Sequence, residues 1–182
     1  MEKSGVFIIT GSQGSGKTTK VTEVVWYLKK EIPDVFGFYA IGEWENGWRS
    51  RFRIVDIQTG IDYPLCNRQQ PADATGGQFI FTSETVKQGE EIIASGMRRK
   101  GALAVIDEIG RFELKEKVWY SAFRNLIKKN FPVLITVREN LLEAITTKFN
   151  LDRPLIFKLN EENFLIARAI TSRLGKEEIP GH

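Results

Sequence analysis

Histidine and cysteine are almost missing from this chain: among 182 residues there is one of each, His182 at the very end and Cys66 in the middle. One thiol cannot close an internal disulfide, and one imidazole cannot build a Cys/His metal cluster or a histidine-based triad within a single chain. Long apolar runs are missing as well. No stretch approaches the ~20 residues of a membrane helix, and Met1 to Ser4 lead almost directly into the first apolar run, so neither a leader nor a membrane span is expected and the cytoplasm is. Net charge is scarce, with 26 Lys and Arg against 23 Asp and Glu, a formal +3. So small and evenly scattered an excess argues for a solvated mixed surface and against nucleic acid as a partner. Internal repeats and low-complexity segments are also absent. What remains, at 42% hydrophobic, is enough for one compact α/β domain over residues 1–182, expected as a monomer or weak oligomer.

The most informative stretch is Gly11-Ser12-Gln13-Gly14-Ser15-Gly16-Lys17-Thr18, followed by Thr19. It lies between the apolar run Val6-Phe7-Ile8-Ile9 and a segment of helical periodicity, so the Gly-x4-Gly-Lys-Thr spacing stands in the strand-loop-helix context that makes it a phosphate-binding loop. Glycines at 11, 14 and 16 allow backbone N–H groups to turn inward around an anion. Lys17 reaches the β- and γ-phosphates, the Thr18 hydroxyl is placed for Mg²⁺, and the helix adds the positive end of its dipole. A nucleoside triphosphate is the expected partner.

Val21, Val24, Val25, Leu28 and Ile32 recur three or four apart, which predicts a helix from about Lys17 to Lys30, ended by Pro33. Val35 to Ile41 reads as a strand, and Asn46-Gly47 as a hairpin turn into Trp48 to Val55. This antiparallel ribbon extends over about 35–65, with Thr59-Gly60 turning into Ile61 to Leu65. Alternation puts Arg49, Arg51 and Arg53 on one side. They form either a basic face over the nucleotide or an acidic partner or, as is common in antiparallel ribbons, a wet face. Trp44 and Trp48 flank the turn as packing partners or as platforms for a base. The polar stretch from Asn67 to Gln78 reads as a mobile loop.

Phe79-Ile80-Phe81 is a short strand, and Thr82 or Ser83 is a cap for a helix to about Arg99, interrupted or kinked near Gly89. Arg98-Arg99-Lys100 is either a phosphate patch or a helix C-terminus of the usual polarity. Leu103 to Ile106 has the continuous apolar character of a buried parallel strand. Trp119, Ala122, Phe123 and Leu126 mark a helix face, Val133 to Val137 a further buried strand, Leu141 to Phe149 a shorter helix and Leu155 to Phe157 a last strand. Asn160 is a plausible cap for a helix whose apolar side is Leu165, Ile166, Ala169 and Ile170; the tail after Gly175 is expected to fray. Alternating strands and helices give a mainly parallel sheet with helices on both faces.

The run from Leu103 ends in Asp107-Glu108, at the end of a strand as the phosphate loop is, where ligands of such sheets bind. Asp107 is the candidate for holding Mg²⁺ through a water and Glu108 for the general base, a role typically worth about 10²–10⁴-fold. Thr136 either orients the attacking water or senses the γ-phosphate, or is a β-branched strand residue. Arg138 is a candidate for neutralising transition-state charge, or a surface arginine. Glu113 reads as a helix-capping acid, with indirect Mg²⁺ binding as the other reading.

These residues resemble a family, the small stand-alone nucleoside-triphosphatases known as thermostable or cancer-related NTPases. The resemblance is carried by Ile9-Thr10-Gly11 to Thr19, Gly37-Phe38-Tyr39, Gly47-Trp48-Arg49 through Phe52 to Ile54-Val55-Asp56-Ile57 with Thr59-Gly60, Val105 to Gly110 with Glu113-Leu114, and Pro132 to Thr136. It covers roughly Val6 to Phe157. It implies a RecA-like P-loop three-layer sandwich and slow Mg²⁺-dependent hydrolysis of several nucleoside triphosphates. Lys17, Thr18, Asp107 and Glu108 match the family pattern. Arg51 stands where a glycine is usual and Phe112 where a methionine is. Two other readings remain: a nucleoside or nucleotide kinase, in which the acid activates an acceptor hydroxyl, and a nucleotide-gated binding switch.

Overall fold

The computed structural model describes residues 5–45, 48–68 and 79–175. Its centre is an eight-stranded sheet in the order β5-β4-β3-β2-β6-β7-β1-β8. The strands are β1 (Val6–Gly11), β2 (Val35–Glu45), β3 (Trp48–Asp56), β4 (Asp62–Arg68), β5 (Phe79–Phe81), β6 (Leu103–Ile109), β7 (Val133–Arg138) and β8 (Leu155–Lys158). From β2 to β8 every pairing is parallel, and from β2 outward through β3, β4 and β5 every pairing is antiparallel. β2 belongs to both halves. The ribbon is therefore an outward continuation of the main sheet, and its antiparallel register places Phe38 opposite Asp56 and Gly42 opposite Phe52.

Strand periodicity sorts the core into two layers. Val6, Ile8, Ala104, Ile106, Val133 and Ile135 point to one face, where α2 (Ser83–Gly96), α4 (Tyr120–Lys128) and α5 (Leu142–Lys148) bury Ile93, Phe123, Leu126 and Ile145. Phe7, Ile9, Leu103, Val105 and Leu134 point to the other, covered by α1 (Lys17–Glu31) and α6 (Asn163–Arg173). α1 contributes Val21, Val24, Val25 and Leu28, all essentially inaccessible. Each such side chain is worth about 1.5–3 kcal/mol of burial. The result is the α/β three-layer sandwich, mainly parallel with an antiparallel extension, that the sequence predicts.

Some local expectations shift. α2 runs unbroken from Ser83 to Gly96; Gly89 is there because a Cβ would come within 2.4 Å of the Trp119 ring, which makes it a contact point between helices and no interruption. α6 starts two residues later than predicted, with Glu162 as its N-cap, because Glu161 is occupied in accepting the Lys158 N–H. Leu165 is about half exposed, and the buried face is Ile166, Ala167, Ile170 and Thr171. α3 (Arg111–Leu114) is a four-residue helix with too short a pattern to be read from sequence. The Arg98 to Lys100 cluster follows α2 at the start of β6, the far end of that strand from Asp107, and Arg99 pairs with Asp34 at 3.3 Å. It lies too far from the phosphate loop, at the other end of the sheet, to serve that loop as a phosphate patch. The Asn46-Gly47 turn, the 69–78 part of the polar loop, the tail after Gly175 and the side chains of Trp44, Trp48 and Arg49 lie outside the described residues.

Candidate active site

β1 hands the chain to α1 through the phosphate loop. Gly14 and Gly16 have φ of 73° and 94°, the left-handed region that a side chain disfavours. Gly11 is needed for another reason: a Cβ there would fall 2.6 Å from Leu159 Cδ1 and 2.9 Å from Ser15 Oγ. Lys17 is the first residue of α1 and donates to the carbonyls of Ser12 at 2.6 Å and Gly11 at 3.3 Å. Thr18 lies beside the Ala40 carbonyl, 3.5 Å away.

Parallel pairing brings the ends of β6 and β7 to the same edge. Asp107 is 1% exposed. Its Oδ1 accepts the Thr136 hydroxyl at 2.5 Å and its Oδ2 the Ala40 N–H at 3.0 Å. Burial pushes this carboxyl up to about 6, against hydrogen bonds from Thr136 and Thr18, and the neighbouring Glu108 charge adds to the rise. The register between β6 and β7 breaks between Ile106 and Ile109, and Glu108 has φ of 67°. For a non-glycine residue that is strain of order 1–3 kcal/mol, of the kind found at functional sites. The irregularity turns two adjacent side chains, which a regular strand would send to opposite faces, toward one cleft. Thr136 holds it in place, since its hydroxyl also accepts the Glu108 N–H at 2.7 Å.

Arg138, at the end of β7, donates to Glu108 Oε1 at 2.8 Å and to Gln13 Oε1 at 2.9 Å. It ties the second acid to the phosphate loop. Gln13 to Thr19, Ala40 to Gly42, Asp107, Glu108, Thr136 and Arg138 line one cleft of 260 Å³. Most residues singled out from sequence thus meet in one place. Ala40 to Gly42, from the outer half of β2, were not foreseen, although the Gly37-Phe38-Tyr39 signature leads directly into them. Thr136 sits within the acid pair's hydrogen-bond network, buried at 0% exposure.

Glu113 is a cap. Its carboxylate accepts the Gly110 N–H at 2.8 Å and the Trp119 N–H at 3.1 Å, so one side chain closes the starts of α3 and α4. Burial pushes it up to about 7. Of the ribbon arginines with described side chains, Arg53 is engaged by Asp62 at 2.7 Å and Glu43 at 3.4 Å, and neither it nor Arg51 lines the cleft. Cys66 is a buried free thiol.

A parallel sheet carrying a phosphate loop at one strand end and a strand-end acid pair beside it defines a P-loop nucleoside-triphosphate-binding protein. Its family is defined by comparison. The model of the NTPase family matches residues 6–173, and the chain belongs to that family. It is 33% identical over 126 residues to a nucleoside-triphosphatase THEP1 of Saccharolobus solfataricus, covering 69% of this chain and 71% of that protein. To the Pyrobaculum aerophilum protein of the same name it is 29% identical over 168 residues, covering 92% and 91%. The crystal structure of THEP1 from Aquifex aeolicus superposes with a TM-score of 0.67 at 25% identity, covering 92% of this chain and 98% of that one. A human cancer-related nucleoside triphosphatase has the same fold, with a TM-score of 0.67 at 23% identity over 95% and 99%. The RecA-like sandwich implied by the resemblance is the fold observed.

Proposed function

We propose that this protein, acting as one P-loop domain, hydrolyses nucleoside triphosphates to the diphosphate and phosphate with Mg²⁺ as cofactor and little selectivity for the base. The observation that carries this reading is the Glu108 carboxylate, turned into the phosphate cleft by a strained backbone and held there by Arg138. In this reading the loop N–H groups and Lys17 hold the β- and γ-phosphates, and Glu108 takes the proton of a water attacking the γ-phosphorus as the bond to the β-phosphate oxygen breaks. Arg138 sits where negative charge shifts during that step.

The residues present fit Mg²⁺. A buried carboxyl, Asp107, lies with the Thr18 hydroxyl in reach, and among the described residues no three acid, histidine or cysteine side chains cluster into a cage of their own. One or two protein oxygens completed by phosphate oxygens and waters is the pattern Mg²⁺ prefers. Bound there, the ion supplies Lewis-acid neutralisation of phosphate charge. Low base selectivity is supported by the flank of the loop, a 240 Å³ groove along Thr10, Gly11, Glu139, Lys158, Leu159 and Asn160. Three of its four polar side chains, Glu139, Lys158 and Asn160, are exposed and only Thr10 is buried, and exposed, adaptable groups do not enforce one hydrogen-bonding pattern in the way that buried ones do.

The test is phosphate release from ATP, GTP, CTP and UTP with and without Mg²⁺, for the wild type and Glu108→Gln. Release from several triphosphates is expected, lost without metal and reduced about 10²–10⁴-fold in the variant, which still binds nucleotide. Normal turnover by Glu108→Gln would remove the proposed base.

A further inference from the structure

Hydrolysis needs room for a single water beside Glu108, yet a second and larger cavity opens there. It measures 420 Å³, and Ala40, Glu108 and Arg138 line both it and the phosphate cleft. Its walls include the rings of Phe52, Phe81, Phe112 and Trp119. Phe81 and Phe112 meet edge to face at 4.5 Å, and Trp119, 2% exposed, is backed by Phe38 at 4.5 Å. The cavity opens to solvent, and its volume falls in the usual range of about 300–1,000 Å³ for small-molecule sites.

The polar groups say which ligand. Glu113 lines the chamber, 2% exposed, its carboxyl held in place by the Gly110 and Trp119 N–H groups, so it is a fixed polar group in an otherwise aromatic wall. Aromatic walls with one fixed carboxyl among them suit a planar heteroaromatic ring with a polar edge. At the boundary with the phosphate cleft, Glu108 and Arg138 suit a hydroxyl. A heteroaromatic ring with a polar edge, joined by a short polar linker to a hydroxyl, is the chemistry of a nucleoside.

We propose that this chamber is an acceptor site for a nucleoside and that the protein carries a second activity, transfer of the γ-phosphoryl group to the nucleoside hydroxyl. The hydroxyl oxygen forms the new bond to the γ-phosphorus, the bond from that phosphorus to the β-phosphate oxygen breaks, and Glu108 accepts the hydroxyl proton. The products are a nucleoside diphosphate and a nucleoside monophosphate. The inference rests on the triphosphate site and base of the proposed hydrolase, with the nucleoside hydroxyl replacing water.

The experiment incubates the full-length protein with γ-labelled ATP and Mg²⁺, alone and with adenosine, guanosine, cytidine, uridine or thymidine, and separates labelled phosphate from labelled nucleoside monophosphate. Label is expected in at least one monophosphate, at the expense of free phosphate. Calorimetric titration of that nucleoside into protein saturated with a non-hydrolysable ATP analogue should show one site. Phe112→Ala and, independently, Phe81→Ala should each raise the KM for the nucleoside about tenfold. Label found only in free phosphate with all five nucleosides overturns the acceptor site and leaves hydrolysis standing. Label found only in a monophosphate does the reverse. Transfer that neither ring substitution weakens would also overturn the proposal, since the acceptor would then sit elsewhere.

Discussion

The Thr136 hydroxyl stands 2.5 Å from Asp107 Oδ1, to which it donates, while its oxygen receives the backbone N–H of Glu108 at 2.7 Å. One side chain on β7 therefore fixes both acids of β6, the carboxyl of the first and the backbone of the second. Thr136→Val keeps the shape and removes the hydroxyl, leaving the Glu108 N–H without this partner and Asp107 with one donor fewer. A buried group left unsatisfied costs about 1–3 kcal/mol, so the urea midpoint should drop accordingly and kcat should fall, with Thr136→Ser restoring most of both. An unchanged midpoint and kcat would show that the strained turn at Glu108 holds itself.

Gly37 tests the seam where the parallel and antiparallel halves join. Its φ is 120°, and a Cβ there would lie 1.9 Å from the Val105 carbonyl oxygen, which belongs to the adjacent strand and cannot step aside. Gly37→Ala is expected to destabilise the fold by at least about 3 kcal/mol, combining backbone strain with an irreducible clash. Soluble expression and a thermal melt read this directly. A melt within a few degrees of the wild type would mean that β2 and β6 can separate without cost.

Glu113 gives stability a pH dependence of unusual sign. Its folded-state pKa is raised from 4.5 to about 7, chiefly by burial, so the native state holds the proton more tightly than the unfolded chain does. Between pH 4.5 and about 7 the unfolded state binds fewer protons, and stability falls as pH rises through that window. The full effect is of order 3 kcal/mol at about 1.4 kcal/mol per pKa unit. Glu108 adds to the rise, while the Gly110 and Trp119 N–H groups oppose it. Denaturant titrations at several pH values should show wild-type stability declining across the window; Glu113→Gln, which cannot titrate, should remove the decline between about pH 6 and 7 and leave below it the part that Asp107, raised to about 6, contributes. Parallel curves for the two proteins would locate the dependence elsewhere.

How much of this was legible in the sequence depends on how far apart the partners lie along the chain. Gly11 to Thr18 carries its geometry in contiguous residues, and Asp107-Glu108 follows an apolar run whose burial the pattern dictates, so both can be read in place. α1, β6 and β7 are equally plain, because their apolar spacing matches one period throughout. The Gln13–Arg138 bond joins residues 125 positions apart, and no local pattern encodes it. The left-handed backbone of Glu108 is likewise invisible, since that conformation favours glycine, asparagine and aspartate and the contacts that hold Glu108 in it, from Thr136 and Arg138, come from β7. The α6 start departs from its local signal for a related reason: Asn160 has capping chemistry, but Glu161 takes the Lys158 N–H and the helix begins at Asn163. The aromatic chamber draws Phe52, Phe81, Phe112 and Trp119 from four separate segments, and each alone reads as ordinary packing.

Arg138 offers the sharpest separation of catalysis from stability. Its guanidinium spans Glu108 Oε1 and Gln13 Oε1, and the side chains of the ion pair are 22% and 25% exposed. A partly solvated pair contributes on the order of 1 kcal/mol or less to folding, so Arg138→Ala should melt close to the wild type. If the arginine neutralises charge as the γ-phosphoryl group transfers, the same variant should lose about 10³-fold or more in kcat. Arg138→Lys keeps the charge but cannot bridge two acceptors with one fork, and should recover only part of the loss. Gln13→Ala then separates the two contacts: if the bridge to the loop aims the guanidinium, the double variant with Arg138→Ala should be no slower than Arg138→Ala alone. Independent, multiplying losses would mean that Gln13 and Arg138 act on the phosphate separately, and an unaltered kcat in Arg138→Ala would leave the arginine as no more than a tether for Glu108.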